Sequence, residues 1–305
     1  MEKSLYLCDT NVKRMRYRLL IISLFLFATL PVFSQRKRAF LVGVSHYDTA
    51  LTGYQWNNIN GVNDIKLLSP VLNRQGFQIL SLQDEEATYD AITKQLKHFI
   101  HNSKEGDIIY WHFSTHGQPV EDMNGDEPDG WDEAIVPIDA FKLYHKGSYE
   151  GERHLLDDQL NTFIKQLRKK VGNKGLIYVV IDACHAGTAS RGNDDVVRGT
   201  HVGFSASNKV FKPSKGNHSH YTIQHEAKLA DVVFLEACRA DQLNMEIKVE
   251  GQRYGALSFH LAHVFQASPI DKRPQKLINA LQKEILQQGK WPNNQNLVIE
   301  TSLPQ

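Results

Sequence analysis

The sequence predicts an α/β fold, a mostly parallel sheet covered on both faces by helices. Two observations predict it. Apolar, largely β-branched or aromatic runs recur at 38–44, 77–82, 107–113, 176–181 and 231–236, and near-continuous apolar strands belong in a sheet buried on both sides. Most are separated by stretches with apolar residues at helical spacing, the alternation that builds parallel sheets.

Taken in order, 38–44 reads as a first buried strand. Asn60 stands where a helix cap is expected, and Val62, Ile65, Leu68 and Leu72 mark a helix over 61–73. Gly76 breaks the chain before a second strand. Thr88 can cap a helix whose stripe is Ile92, Leu96, Phe99 and Ile100, ended by Gly106. A third strand over 107–113 leads to an acidic, Gly- and Pro-containing loop at 121–132. Asp157 or Asp158 opens a helix reaching about Lys170, followed by a fourth strand at 176–181. Residues 194–225 have weak periodicity and many Gly, Ser, Asn and basic residues, so they read as loop. A fifth strand at 231–236, helices at 254–265 and 276–286, and a terminal strand at 297–300 complete the chain.

Composition narrows the class. Of 305 residues, 41% are hydrophobic and 23% charged, an ordinary folded globule. Thirty-five basic residues against 34 acidic leave a formal charge of +1, with no basic stripe for nucleic acid. The N-terminus differs. Lys13, Arg14, Arg16 and Arg18 precede an apolar run over 19–33, and Val32 and Ser34 are small residues before Gln35. This pattern predicts a signal peptide over 1–34 and an exported, periplasmic or extracellular protein, with an uncleaved membrane anchor as the alternative. Met15 is a second candidate start. The remainder, 35–305, reads as one domain with a flexible loop region at about 188–228. Three cysteines, Cys8, Cys184 and Cys238, do not make a disulfide framework.

In an open sheet of this kind ligands bind outside the carboxyl ends of the strands. Two such ends carry reactive side chains. Ser114-Thr115-His116-Gly117 follows the third strand, and Asp182-Ala183-Cys184-His185-Ala186-Gly187 follows the fourth. A thiol of ordinary pKa becomes a nucleophile when an imidazole takes its proton. His116 is that base for Cys184, and the backbone N–H groups of Gly117 and Cys184 are placed to receive an oxyanion. Each residue also has a plain reading. A cysteine after a buried strand is often an inert core thiol, and a lone histidine is often structural. His185 is a rival base, but neighbours leaving a strand point to opposite faces. Cys238 and His112 lie near strand ends as well. The glycines after the first strand lack the spacing of a dinucleotide-binding loop.

These two segments together resemble the metacaspases and their bacterial relatives, in the caspase-like clan of cysteine peptidases (peptidase family C14). The resemblance runs from Arg38 to at least Phe265. It includes Gly61-Val62-Asn63-Asp64, Trp131-Asp132-Glu133-Ala134-Ile135-Val136-Pro137, Ala237-Cys238-Arg239-Ala240-Asp241-Gln242 and Gly255-Ala256-Leu257-Ser258. Thr115 stands where the family has Gly, and Ala186 where Ser is common. The resemblance implies a three-layer α/β/α sandwich around a mostly parallel six-stranded sheet. It implies a cysteine endopeptidase with His116 and Cys184 as catalytic dyad and Gly117 and Cys184 as oxyanion hole. Asp64, Ser114 and Asp182 would line an acidic pocket for a substrate Arg or Lys. A guanidinium between two carboxylates relieves their repulsion.

The chemistry requires no cofactor. Calcium activation is implied by the resemblance, and Asp122, Asn124, Asp126 and Asp129 form an oxygen-rich run, though without the distal Glu and flanking helices of an EF-hand. Its plain reading is a solvated turn. The implied partners are protein or peptide substrates with a basic residue before the cut, acted on by a monomer. Arg191, Arg198, Lys209, Lys212 and Lys215 would offer such sites within the chain itself, so self-cleavage in the 188–228 loop is expected. The alternatives are a catalytically silent caspase-like domain used for binding, and a thiol amide hydrolase acting on small molecules.

Overall fold

A computed structural model describes residues 35–47, 56–125, 127, 129–184, 195–213 and 223–303. The expected signal peptide, His185, Gly187, Asp126, Arg191 and Lys215 lie outside the described residues. No described helix is long and apolar enough to cross a membrane. Arg36–Gln305 is one compact unit.

The elements are β1 (Lys37–Gly43), α1 (Gly61–Arg74), β2 (Phe77–Gln83), α2 (Tyr89–Asn102), β3 (Ile108–Ser114), β4 (His116–Glu121), β5 (Trp131–Val136), β6 (Leu155–Leu156), α3 (Asp157–Val171), β7 (Leu176–Ile181), β8 (Asp231–Glu236), β9 (Glu246–Val249), β10 (Gln252–Gly255), α4 (Ala256–Ala267), α5 (Pro274–Gln288) and β11 (Val298–Thr301). Six strands form the central sheet in the order β11-β8-β7-β3-β1-β2. All neighbours are parallel except β11, which closes the β8 edge antiparallel.

Alternation along the strands divides the core in two. Phe40, Val42, Trp111, Phe113 and Val179 pack with Ile92 and Leu96 of α2 and Leu160 and Leu167 of α3. On the other face Ala39, Leu41, Tyr110 and Val180 pack with Leu68 of α1, Leu257 of α4 and Leu277 of α5. Because side chains alternate, one strand serves both cores. The chain crosses from one face to the other after β2, so α1 and α2 flank β1 on opposite sides. The crevice between β1 and β3 is therefore the topological switch point, where such sheets bind ligands.

Two expectations change. Thr88 caps α2, its Oγ1 accepting from the Ala91 N–H at 3.2 Å, as the sequence suggests. Asn60 makes no side-chain cap for α1. Instead its Nδ2 donates to Glu246 Oε2 at 2.6 Å and its backbone N–H to Oε1 at 2.7 Å, so the residue is oriented by the Glu246 carboxylate. The helix expected from 254 starts at Ala256, since 252–255 pair with β9. The acidic loop at 121–132 is the tip of the β4–β5 hairpin, which carries His116 and Gly117 at its base.

Candidate active site

Register places the two reactive loops side by side. Phe113 of β3 pairs with Ile181 of β7, and the Asp182 N–H donates to the Phe113 carbonyl at 2.8 Å. Ser114 and Asp182 thus leave adjacent strands together. Gly61 brings the start of α1 to the same place. A Cβ there would strike the carbonyl oxygens of Ser114 and Val44, so only glycine lets the helix approach. Asp64 sits one turn further on, fully buried.

Asp64, Ser114 and Asp182 converge, and the space between them is filled by the chain's own Arg198. Its guanidinium is 0% exposed. Nη1 lies 2.6 Å from Asp64 Oδ2, donates to Ser114 Oγ at 2.6 Å and lies 3.5 Å from Asp182 Oδ1. Ser114 Oγ in turn donates to Asp64 Oδ2. Glu246, which sequence reasoning did not single out, adds a third carboxylate, with Oε1 accepting from Arg198 Nε at 3.1 Å. Asp182 is oriented from behind. It accepts from Asn244 Nδ2 at 2.7 Å and from the Ser258 hydroxyl at 2.6 Å. His112 is buried behind the pocket, where its Nε2 meets Ser258 Oγ at 3.0 Å.

The backbone of Arg198 is held as firmly as its side chain. The N–H groups of Cys184 and Gly117 both donate to the Arg198 carbonyl, at 2.9 and 3.3 Å. Upstream, residues 196–198 pair with 244–246. Arg198 N–H donates to the Asn244 carbonyl at 3.0 Å and Glu246 N–H to the Val196 carbonyl at 2.9 Å. Gly199 rests against the Cys184 backbone, where a Cβ would collide with the Cys184 carbonyl. The stretch 195–213 has no helix or regular strand, yet Arg198 and Thr200 are buried.

His116 is fixed by an aromatic box. Its ring stacks on Trp56 at 4.9 Å and lies 4.8 Å from Tyr47. Nε2 lies 2.8 Å from the Asn57 carbonyl. A carbonyl only accepts, so Nε2 carries the proton and Nδ1 the lone pair. Nδ1 is buried without a hydrogen-bond partner among the described residues. Burial, with Lys142 and Arg198 adding, holds His116 down at about 3, so the ring is neutral. Cys184 Sγ donates to the Gln242 carbonyl at 2.7 Å, and Cys238 is also a buried free thiol. The Cys238 thiol is pushed up by its hydrogen bond to Cys184 and by burial.

Three carboxylates around one guanidinium leave negative charge in excess. Burial raises Asp64 to about 7, with Asp182 and Glu246 adding to the rise and Arg198 opposing it. Burial also works against ionised Asp182, but Arg198, Asn244 and Ser258 outweigh it and hold the group below its ordinary value. Arg198 is held protonated, because Asp64, Asp182 and Glu246 overcome its desolvation.

In the 122–129 run, where Asp126 lies outside the described residues, the Asp122 and Asn124 side chains are hydrogen-bonded to the chain itself. Asp122 spends its oxygens on the N–H groups of Asn124, Gly125 and Glu127, and Asn124 Nδ2 donates to Asp158. Among the described residues no three Asp, Glu, His or Cys side chains are grouped to hold a metal ion.

Comparison with known proteins agrees with this architecture. Residues 36–299 match the family described as the caspase domain of peptidase C14. Metacaspase-1A of Aspergillus niger is 24% identical, covering 82% of this chain and 67% of its own length. Metacaspase-1 of Meyerozyma guilliermondii is 26% identical, covering 74% and 61%. The chain thus spans about two thirds of the length of these relatives. A crystal structure of a Geobacter sulfurreducens protein superposes with a TM-score of 0.59 at 19% identity, covering 88% of this chain and 95% of that one. The structure of pro-sf-caspase-1 gives a TM-score of 0.50 at 12% identity, covering 88% of each. These two likenesses concern the fold alone.

Proposed function

The chain belongs to the caspase-domain family and is a cysteine-type peptidase, and from that premise we propose that it cuts peptide bonds after Arg or Lys with a Cys184–His116 dyad. One observation carries the reading. Arg198 lies across the cleft as a substrate residue would, its cation among Asp64, Ser114 and Asp182 and its carbonyl under the N–H groups of Gly117 and Cys184.

In this mechanism the substrate's basic side chain enters the acidic pocket and its carbonyl oxygen takes the position of the Arg198 oxygen. His116 Nδ1 accepts the Cys184 proton, and the sulfur attacks the carbonyl carbon. The two N–H groups stabilise the oxyanion. His116 then gives its proton to the departing amine, leaving an acyl-enzyme, and finally activates water to release it. The Asn57 carbonyl holds the ring in the tautomer this requires.

Self-cleavage belongs to the same proposal, now at one bond, Arg198–Gly199. The chain would act as an exported monomer, a reading supported by the basic, apolar and small-residue pattern of 1–34 and by the resemblance. Calcium activation also stays a proposal. Support for it comes from the resemblance, from the oxygen-rich run at 122–129 and from buried carboxylates elsewhere. Asp157 and Glu236 each keep an oxygen without a hydrogen-bond partner among the described residues.

The test compares wild type with Cys184→Ala, with and without calcium, by intact mass and by fluorogenic peptides ending in Arg, Lys or Asp. Expected are two fragments meeting at Arg198/Gly199, cleavage of the Arg and Lys peptides but not the Asp peptide, and neither activity in the variant. Basic-site cleavage that survives in Cys184→Ala would overturn the mechanism. A wild type that cuts nothing and resists a basic peptidyl electrophile at Cys184 would favour a silent binding domain.

A further inference from the structure

We infer that Glu246 makes the pocket select Arg over Lys. This rests on the reading that Arg198 marks the position of a substrate side chain. A guanidinium has two hydrogen-bonding edges, whereas an ammonium is a single point of charge. The Nη1 end of Arg198 is met by Asp64, Ser114 and Asp182, a cluster that either cation could satisfy. The other edge is met by Glu246 alone among these acids. Nε donates to Glu246 Oε1 at 3.1 Å, and Nη2 lies 3.0 Å from the same oxygen.

Glu246 is held from its far side by the chain. Oε1 accepts from the Asn60 backbone N–H at 2.7 Å and Oε2 from the Asn60 amide at 2.6 Å. It sits at the start of β9, and its own N–H pairs with residue 196, so the strand that receives the substrate backbone also carries the carboxylate. Atom counting along the two side chains gives the discrimination. Lysine places its Cε methylene where arginine has Nε. A lysine in this pocket would therefore press CH2 against Glu246 Oε1, leaving a nearly buried carboxylate oxygen short of a donor. Oε1 would keep the Asn60 N–H but lose the donors of the substrate, and a charge-assisted hydrogen bond lost in this way lets a site disfavour a close analogue.

Two measurements test this. The first is kcat/KM for matched Arg and Lys peptides with wild type, Glu246→Gln and Glu246→Ala. Wild type should prefer Arg by about tenfold or more, the scale of one charge-assisted hydrogen bond. Glu246→Ala should bring the ratio close to one through loss on the Arg peptide, and Glu246→Gln should fall between. Urea unfolding of the variants at the wild-type midpoint reports an intact fold. An unchanged ratio, or equal loss on both peptides, would overturn the inference. The second leaves Glu246 in place. Arg198→Lys should slow self-cleavage about tenfold, and self-cleavage at the wild-type rate would overturn the inference. The underlying reading fails differently, by a wild type that cuts after neither Arg nor Lys.

Discussion

At the scale of single residues, the pocket is a problem in charge. Asp64, Asp182 and Glu246 are nearly or fully buried around one cation, and removing charges from water is tolerable only when they are paired and hydrogen-bonded. Asp182 has those bonds in full, whereas Asp64 absorbs the excess and sits at about 7. Its sign sets a pH dependence. Below that value Asp64 takes a proton and the pocket holds a cation less strongly, and above it the carboxylate is charged. We expect kcat/KM on an Arg peptide to rise with pH at a midpoint above about 7, because the Arg198 cation that opposes the rise leaves the pocket when substrate enters. Asp64→Asn should remove that step and lower kcat/KM by tenfold or more, on the scale of a lost charged partner. His116, neutral far below this range, would not contribute the step. A profile whose step survives in Asp64→Asn would show that another group titrates. Asp64, Asp182 and Ser114 were expected together from the family resemblance, and they converge on Arg198. Glu246 was not expected, because an acidic residue in a short exposed-looking stretch carries no local sign of a partner 48 positions away.

At the scale of elements, the site depends on how closely α1 approaches β1 and β3. Gly43 and Gly61 make that contact, since a Cβ on Gly43 would meet Ile65 and the Gly61 carbonyl. Gly61→Ala must push the helix start away from Ser114. Overpacking of this kind costs about 1–3 kcal/mol, and the displaced turn carries Asp64. Urea unfolding should show the loss of stability, and kcat/KM on basic peptides should fall beyond what unfolding explains. Full activity on the Arg peptide would mean that the helix start does not position the pocket. The buried strands and the long helices were readable because their periodicity is strong. The hairpins β4–β5 and β9–β10 were not. Their strands are four to six residues long and all carry charged residues, with Gly or Pro in β4 and β10, so their pairing is set by what they pack against.

At the scale of the whole molecule, the sheet carries a store of unfavourable charge away from the cleft. Asp157 opens α3, and burial raises it to about 8, with Glu133, Asp132 and Glu127 adding. Glu236 at the end of β8 is raised by burial, then by Glu133, Glu300 and Asp157. The folded state binds these protons more tightly than the unfolded chain, where an Asp titrates near 4. Their contribution is therefore fully present below about pH 4 and is lost as pH rises through about 8. Asp157→Asn should raise Tm by a few degrees at pH 8, leave it unchanged at pH 4, and flatten the slope between. A variant no more stable than wild type at pH 8 would show that Asp157 is already paired.

The sequence by itself determined the layered α/β architecture, because the periods of strand and helix are written in neighbouring residues. It also determined the chemistry available at the ends of β3 and β7, because the identities of His116, Cys184, Asp64 and Asp182 do not depend on context. Only the tertiary structure decided what lies between them. Arg198 reads in the sequence as one basic residue among several in an irregular stretch. Folding buries it among three acids that come from α1, the end of β7 and β9. That choice is made by long-range electrostatics and backbone pairing, which bring together residues as far apart as 134 positions and leave no pattern within any short window.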